Sequence, residues 1–169
     1  MQTERTILSA LTKADFTEVL KMYEEQDTFK YIEPLQNKSP EEYKAFLNSR
    51  IAQVNAKTGY HWAVRLIDNN KFIGTANLNP IRGSDKMQIG FQLRRKYWKQ
   101  GYATELTKRI LEFATKDARL RVIYGVFDKR NVASRKIFQK LGFEFEESRT
   151  MEGEEFPIEV WKYMVVHNK

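Results

Sequence analysis

The sequence predicts a mixed α/β domain, one sheet with helices packed on its faces. Three observations predict it. Strand-type runs outnumber helical ones, hairpin-type pairs lie towards both ends, and one strand–helix–strand crossover falls between residues 87 and 126. No repeat, low-complexity tract or linker divides the chain, so residues 1–169 read as a single domain.

The elements follow in order. "RTILSAL" alternates and opens as a strand. Thr12 and Asp15 then cap an amphipathic helix through Phe16, Val19, Leu20 and Tyr23, which "YIEPLQNK" breaks because Pro34 disfavours helix at Glu33. Ser39, Pro40 and Glu42 form a start signal for a second helix, with Tyr43, Phe46, Leu47, Ile51 and Val54 on one face and Gly59 closing it. "YHWAVRLI" and "KFIGTANLN", joined by "DNN", read as a hairpin. "KMQIGFQL" is a further strand whose interior Gly90 marks a bulge or a close backbone approach. Leu106, Ile110, Phe113 and Ala114 switch the period to helical, and "RVIYGVF" returns to strand. A short helix through Ala133, Ile137, Phe138 and Leu141 ends at Gly142. "FEFEESRTM" and "FPIEVWKYMVV" close the chain as an antiparallel pair around Gly153.

Composition narrows the chemistry. There are no cysteines, so disulfides, thiolate nucleophiles and cysteine-held zinc are excluded. The only imidazoles are His61 and His167, which leaves carboxylates to carry acid–base work and makes a histidine metal site an unfavourable reading. No run is long and apolar enough to span a bilayer, and "MQTERTILSA" lacks the apolar core of a secretory signal, so a cytoplasmic location is expected. The formal charge of +7 suits an anionic partner or simple solubility. It is unevenly spread: Arg94, Arg95, Lys96 and Lys99 cluster before one helix, whereas residues 144 to 159 carry seven glutamates.

The stretch "RRKYWKQGYATE" raises the functional question. A helix begins after Gly101 with no Ser, Thr, Asp or Asn to cap it. Its first N–H groups lie at the positive end of the helix dipole and at the carboxyl end of a strand, where open α/β sheets bind ligands. Either this is an ordinary turn, or a phosphate supplies the cap. A second cluster follows one strand later: Asn131 heads a helix, with Ser134 and Phe138 one turn apart on a shared face. Asn131 also fits a plain N-cap, and Ser134 and Phe138 fit plain core positions.

Together the two clusters resemble the GNAT N-acetyltransferase superfamily, and within it the branch acting on N-terminal amines of ribosomal proteins. "WKQGYATE" is similar to the acetyl-CoA pyrophosphate loop W-x-x-G-x-A, and "NVASRKIFQKLGF" to the segment N-x-x-S-(x)7-G-F. "FIGTANL", "IGFQL" and "TERTILSALTKAD" extend the likeness over nearly the whole chain. Three positions depart from the commonest pattern: Trp98 replaces Gln or Arg, Lys99 a frequent glycine, and Phe138 a tyrosine that protonates the leaving thiolate.

The resemblance implies a mostly antiparallel sheet of about seven strands, helices on both faces and splayed central strands. It implies acetyl-CoA as co-substrate and no metal. Phe91, Gln92 and Leu93 would bind the pantetheine arm along a strand edge, Asn131 would hydrogen-bond it, and Ser134 would also contact the cofactor. Backbone N–H groups of Lys99, Gln100, Gly101, Tyr102, Ala103 and Thr104 would hold the pyrophosphate, with Arg94 adding charge. Ser134 or a water would replace the missing tyrosine as acid, and Glu33, through water, would take the proton of the attacking amine. Glu105 and Glu159 are rival bases, each with a structural reading of its own. The acidic last hairpin would favour a cationic acceptor such as a protein N-terminus, a polyamine or an aminoglycoside. The protein would be a monomer or homodimer without nucleic-acid or membrane partners. A non-catalytic acyl-CoA sensor on the same fold is the alternative, and a basic nucleic-acid module a third reading that the acidic hairpin opposes.

Overall fold

The computed structural model describes residues 1–165; His167, and Val166 of the expected last strand, lie outside the described residues. The elements occur in the expected order: β1 (Thr6–Ala10), α1 (Phe16–Tyr23), α2 (Pro40–Asn55), β2 (Tyr60–Leu66), β3 (Phe72–Pro80), β4 (Met87–Leu93), α3 (Tyr102–Lys116), β5 (Val122–Asp128), α4 (Val132–Lys140), β6 (Glu144–Arg149) and β7 (Ile158–Met164). They form one seven-stranded sheet in the order β1-β2-β3-β4-β5-β7-β6. Every neighbouring pair is antiparallel except β4 and β5, which flank the crossover helix α3 and must run parallel. That pair touches only at Gln88 with Tyr124 and Ile89 with Gly125. Beyond Ile89 the two strands part.

Each face of the sheet has its own core. Under α3 and α4, Leu106, Ile110 and Ala114 bury the expected helical stripe against Val64, Ile73, Leu78 and Ile123. Each large aliphatic side chain so buried is worth roughly 1.5–3 kcal/mol. On the opposite face Val19 and Met22 of α1 and Leu47 of α2 cover Leu11, Ala63 and Phe72. This cover is thinner: Leu47 is the one fully buried side chain of α2, with Tyr43, Phe46 and Ile51 only partly buried.

The caps behave as physical chemistry predicts. Ser39 and Glu42 form a capping box on α2 with Pro40 in the first turn, and Asp15 accepts from both the amide and hydroxyl of Thr12. Gly142 and Gly153 take positive φ where turns were expected. Gly90 packs close to Asn77, whose side chain a Cβ would meet at 2.8 Å.

Three expectations need correction. The second helix ends at Asn55 because Lys57 enters the left-handed region at φ 57°, not because of Gly59, which packs against Gln53 and Asn79. The first helix stops at Tyr23, before Pro34, and Glu33–Leu35 form a 3₁₀ turn that accommodates the proline in its first turn. Ala133 is solvent-exposed, and the buried face of α4 is Ser134 and Phe138.

Candidate active site

The bare helix start is as bare as its sequence. Gly101 is the N-cap of α3 at φ 85° and offers no side-chain cap. Among the described residues, no backbone N–H from Lys99 to Thr104 meets a protein acceptor. Lys99 is also left-handed, at φ 59°, so the loop curls its amides into a concavity of the kind that binds anions. Arg5 anchors this loop from β1's approach. Its guanidinium donates to the Gln100 carbonyl at 3.0 Å, stacks on Tyr102 at 4.1 Å, and pairs with Glu105 at 2.7 Å. Partial burial pushes the Glu105 carboxyl up, but the Thr3 hydroxyl and the Arg5 amide and side chain together hold it below its ordinary value.

The parted strands open the second part of the site. The Arg94 amide donates to the Ile73 carbonyl, so by antiparallel alternation the amides and carbonyls of Phe91 and Leu93 turn away from β3 and towards the gap. The Trp98 indole N–H donates to the Leu93 carbonyl at 2.6 Å. That leaves the Leu93 N–H and both Phe91 groups at the edge. Across the gap, a Cβ on Gly125 would stand 2.6 Å from the Phe138 ring, which stacks on Phe127. Only glycine admits the ring there.

A cavity of about 390 Å³ passes through this gap from one face of the sheet to the other. On the α4 side it is lined by Asn131, Ser134 and Phe138, and on the α1–α2 side by Tyr23, Arg50, His61 and Gln92. Asn131 Oδ1 accepts from the Ser134 amide at 3.1 Å and so caps α4, leaving its amide nitrogen for other partners. The Ser134 hydroxyl makes no hydrogen bond among the described residues. At the mouth, Glu33 accepts from the amides of Glu155 at 2.7 Å and Phe156 at 3.2 Å, which latches the 3₁₀ turn to the β6–β7 loop. Arg130 stands 3.5 Å from Glu33 and chelates Asp128. Glu154 completes this acidic rim, and partial burial, then the Glu33 charge, raises its pKa.

The family model for an acetyltransferase (GNAT) domain matches residues 5–144. The chain belongs to the GNAT family. Among its relatives is a Bacillus subtilis protein named as the uncharacterized N-acetyltransferase YoaA, 22% identical over 147 residues that cover 86% of this chain and 83% of the relative. A GNAT-family acetyltransferase structure from Bacillus anthracis superposes with a TM-score of 0.82 at 21% identity, covering 97% of each chain. The ribosomal L7/L12 alpha-N-protein acetyltransferase RimL, solved in complex with coenzyme A, superposes with a TM-score of 0.82 at 13% identity over 96% of each chain. Likeness at such identities speaks for the fold.

Within this GNAT domain the expected residues divide into two groups. Phe91, Gln92, Asn131, Ser134 and Glu33 line one cavity, with Leu93 at its strand edge and Lys99, Gln100, Gly101, Tyr102, Ala103 and Thr104 forming the loop beside it. Arg94 is different. Its guanidinium is bound to Glu25 at 2.6 Å and Glu18 at 3.4 Å, and Arg95 is bound to Asp27 at 2.8 Å, so both cations are neutralised by the first turn of α1 and the segment that follows the helix. The rival bases are committed elsewhere: Glu105 to Arg5, and Glu159 to Arg135 at 2.7 Å and the Trp161 indole at 2.9 Å. Of the seven hairpin glutamates, only Glu154 lines the cavity. Sequence reasoning missed Arg5, Tyr23, Arg50 and Glu154, and dismissed His61 as a metal ligand without seeing it as a cavity wall. His61 is buried, bonded through Nε2 to Gln53 at 2.7 Å, and its pKa falls to about 3 through burial and the nearby Arg50 charge. Among the described residues there is no His, Cys, Asp or Glu cluster able to hold a metal ion, and no helix is long and apolar enough to cross a membrane.

Proposed function

We propose that this domain transfers an acetyl group from acetyl-CoA directly to a primary amine, with both substrates bound together. The observation that carries this reading is the run of unpaired amides from Lys99 to Thr104 beside a cavity that pierces the sheet. A pyrophosphate fits that run, because it offers the acceptors that the amides lack. When bound, acetyl-CoA supplies an activated thioester.

The chain's own residues do the rest. The free edge of Phe91 extends the sheet by main-chain bonds to the pantetheine arm, and the Asn131 amide nitrogen donates to it. The Leu93 N–H, turned into the gap, would steady the charge that develops on the thioester oxygen; one such donor is commonly worth a few kcal/mol, roughly 10²–10³ in rate. The amine nitrogen forms a bond to the acetyl carbon as the carbon–sulfur bond breaks, and the electron pair leaves on sulfur. The Ser134 hydroxyl relays a solvent proton to that sulfur, recovering its own from water as it donates, a task Phe138 cannot perform. The amine's own proton passes through water to the Glu33–Glu154 pair at the mouth. Glu154 is the better base of the two, since its raised pKa suits proton uptake while both Glu33 oxygens already accept amides.

Thiol release from acetyl-CoA across a panel of amines and N-terminal peptides tests the reading: amine-dependent release is expected. Acetyl-CoA binding without release from any acceptor would favour the second reading, an acyl-CoA sensor, which the packing of Phe138 between Gly125, Phe127 and Phe143 recommends.

A further inference from the structure

The α1–α2 wall of the cavity carries a cation with no counter-ion. Arg50 is half-buried on α2, and among the described residues no carboxylate lies within 4.0 Å of it. Its guanidinium stacks on Phe46 at 4.4 Å, and among the described residues only one of its N–H groups has an acceptor, Gln53 Oε1 at 3.3 Å. Gln53 Oε1 is shared with His61, which its lowered pKa keeps neutral, so nothing on this wall neutralises Arg50. Burial drives the Arg50 pKa down, and the neighbouring Tyr23 opposes it only in part.

Two more donors on the same wall lack acceptors. The Tyr23 hydroxyl makes no hydrogen bond among the described residues although its ring is packed between Phe29 and Tyr43. Gln92 Nε2 is fully buried and has no partner among the described residues. A guanidinium, a phenol and a primary amide, all short of acceptors and all lining one cavity, describe a site for an oxyanion. The same lining carries the carboxylates of Glu33, Asp128 and Glu154, with Arg130 bonded to Asp128 and 3.5 Å from Glu33.

We propose that the acceptor carries a carboxylate as well as its amine, and that Arg50, assisted by Tyr23 and Gln92, holds that carboxylate while the amine faces the parted strands. This rests on the acetyl-transfer reading and gives it a substrate class: an amino acid, or a peptide with an acidic residue beside its N-terminus. It also replaces the simple cation expected from the acidic hairpin, since six of the seven hairpin glutamates do not line the cavity. The carboxylate source is distinguished by the arms of the test.

The test compares kcat/KM for matched sets: free α- and ω-amino acids, their amides, the corresponding decarboxylated amines, and short peptides with N-terminal Asp or Asn. Wild type is expected to prefer carboxylate over amide by about 10- to 100-fold, the scale of one charge-assisted hydrogen-bonded pair. Arg50→Met should abolish that preference, Arg50→Lys restore part of it, and Tyr23→Phe lower it a few-fold, with acetyl-CoA affinity by calorimetry unchanged in all three. A preference confined to the Asp peptide, and lost in Arg50→Met, supports the site and assigns it to peptides; one confined to free amino acids assigns it to small molecules. Equal use of amides or decarboxylated amines by wild type, or a carboxylate preference that survives Arg50→Met, overturns the inference and leaves acetyl transfer standing. Absence of acetyl-CoA binding by wild type would instead strike the acetyl-transfer reading.

Discussion

The two faces of the sheet solve opposite problems. Under α3 and α4 the apolar core is closed, and the polar groups on offer are backbone ones at a strand edge and a helix start, joined by the Asn131 and Ser134 side chains at the head of α4. Under α1 and α2 the cover is thin, and the sheet presents side-chain polarity instead: His61, Asn77, Asn79 and Gln92 line a cavity roofed by Tyr23 and Arg50. Backbone amides recognise a group common to every donor molecule, and they need only the correct turn. Side chains recognise whatever distinguishes one acceptor from another, and they can change without disturbing the fold.

The sharpest way to break the donor side is at its turn. Gly101→Val puts a β-branched residue at φ 85° and a Cβ 3.4 Å from the Arg5 guanidinium. Acetyl-CoA affinity should fall about 100-fold by calorimetry, the cost of one or two charge-assisted hydrogen bonds. Ser134→Ala should lower kcat about tenfold while leaving acetyl-CoA affinity intact, since a water can partly take over proton return. An unchanged kcat would remove Ser134 from the chemistry.

Two smaller effects probe the acceptor side by pH. Glu154 must be deprotonated to act as base and its pKa is raised, so kcat/KM should climb with pH through a limb lying above the ordinary glutamate range. Glu154→Gln should flatten that limb and lower the plateau a few-fold. His61 concerns stability. Its folded pKa of about 3 lies below the unfolded value, so the unfolded chain binds more protons between the two. The contribution is complete above pH ~6.5 and is lost as pH falls towards the folded value, by up to ~1.4 kcal/mol per pH unit. His61→Gln should remove one proton's worth of that slope in denaturant melts.

The same contrast explains what could be read from the chain. The order of elements, the capping box at Ser39, the positive-φ turns at Gly142 and Gly153, and the uncapped start at Gly101 are all short-range features whose causes lie within a few residues. The donor loop inherits that legibility. Arg94 escaped it, because its partner Glu25 lies 69 residues away, and a basic cluster that read as free charge is in fact neutralised. Arg50 escaped it too: on α2 it looks like any solvated position, and only the fold brings it near Tyr23 and His61, in one cavity with Gln92. The end of α2 was misread for a local reason, since Lys57 adopts a conformation that glycine would have been expected to supply.

The central claim is that the unpaired amides of the α3 entry loop hold the donor's phosphates. Titration of ¹⁵N-labelled protein with acetyl-CoA, followed amide by amide, tests it most directly. The largest shifts are predicted at Lys99 to Thr104, with lesser ones at Phe91 and Leu93 and little change in α2 around Arg50. Saturation with those six amides unmoved, or no response at millimolar acetyl-CoA, would contradict the account.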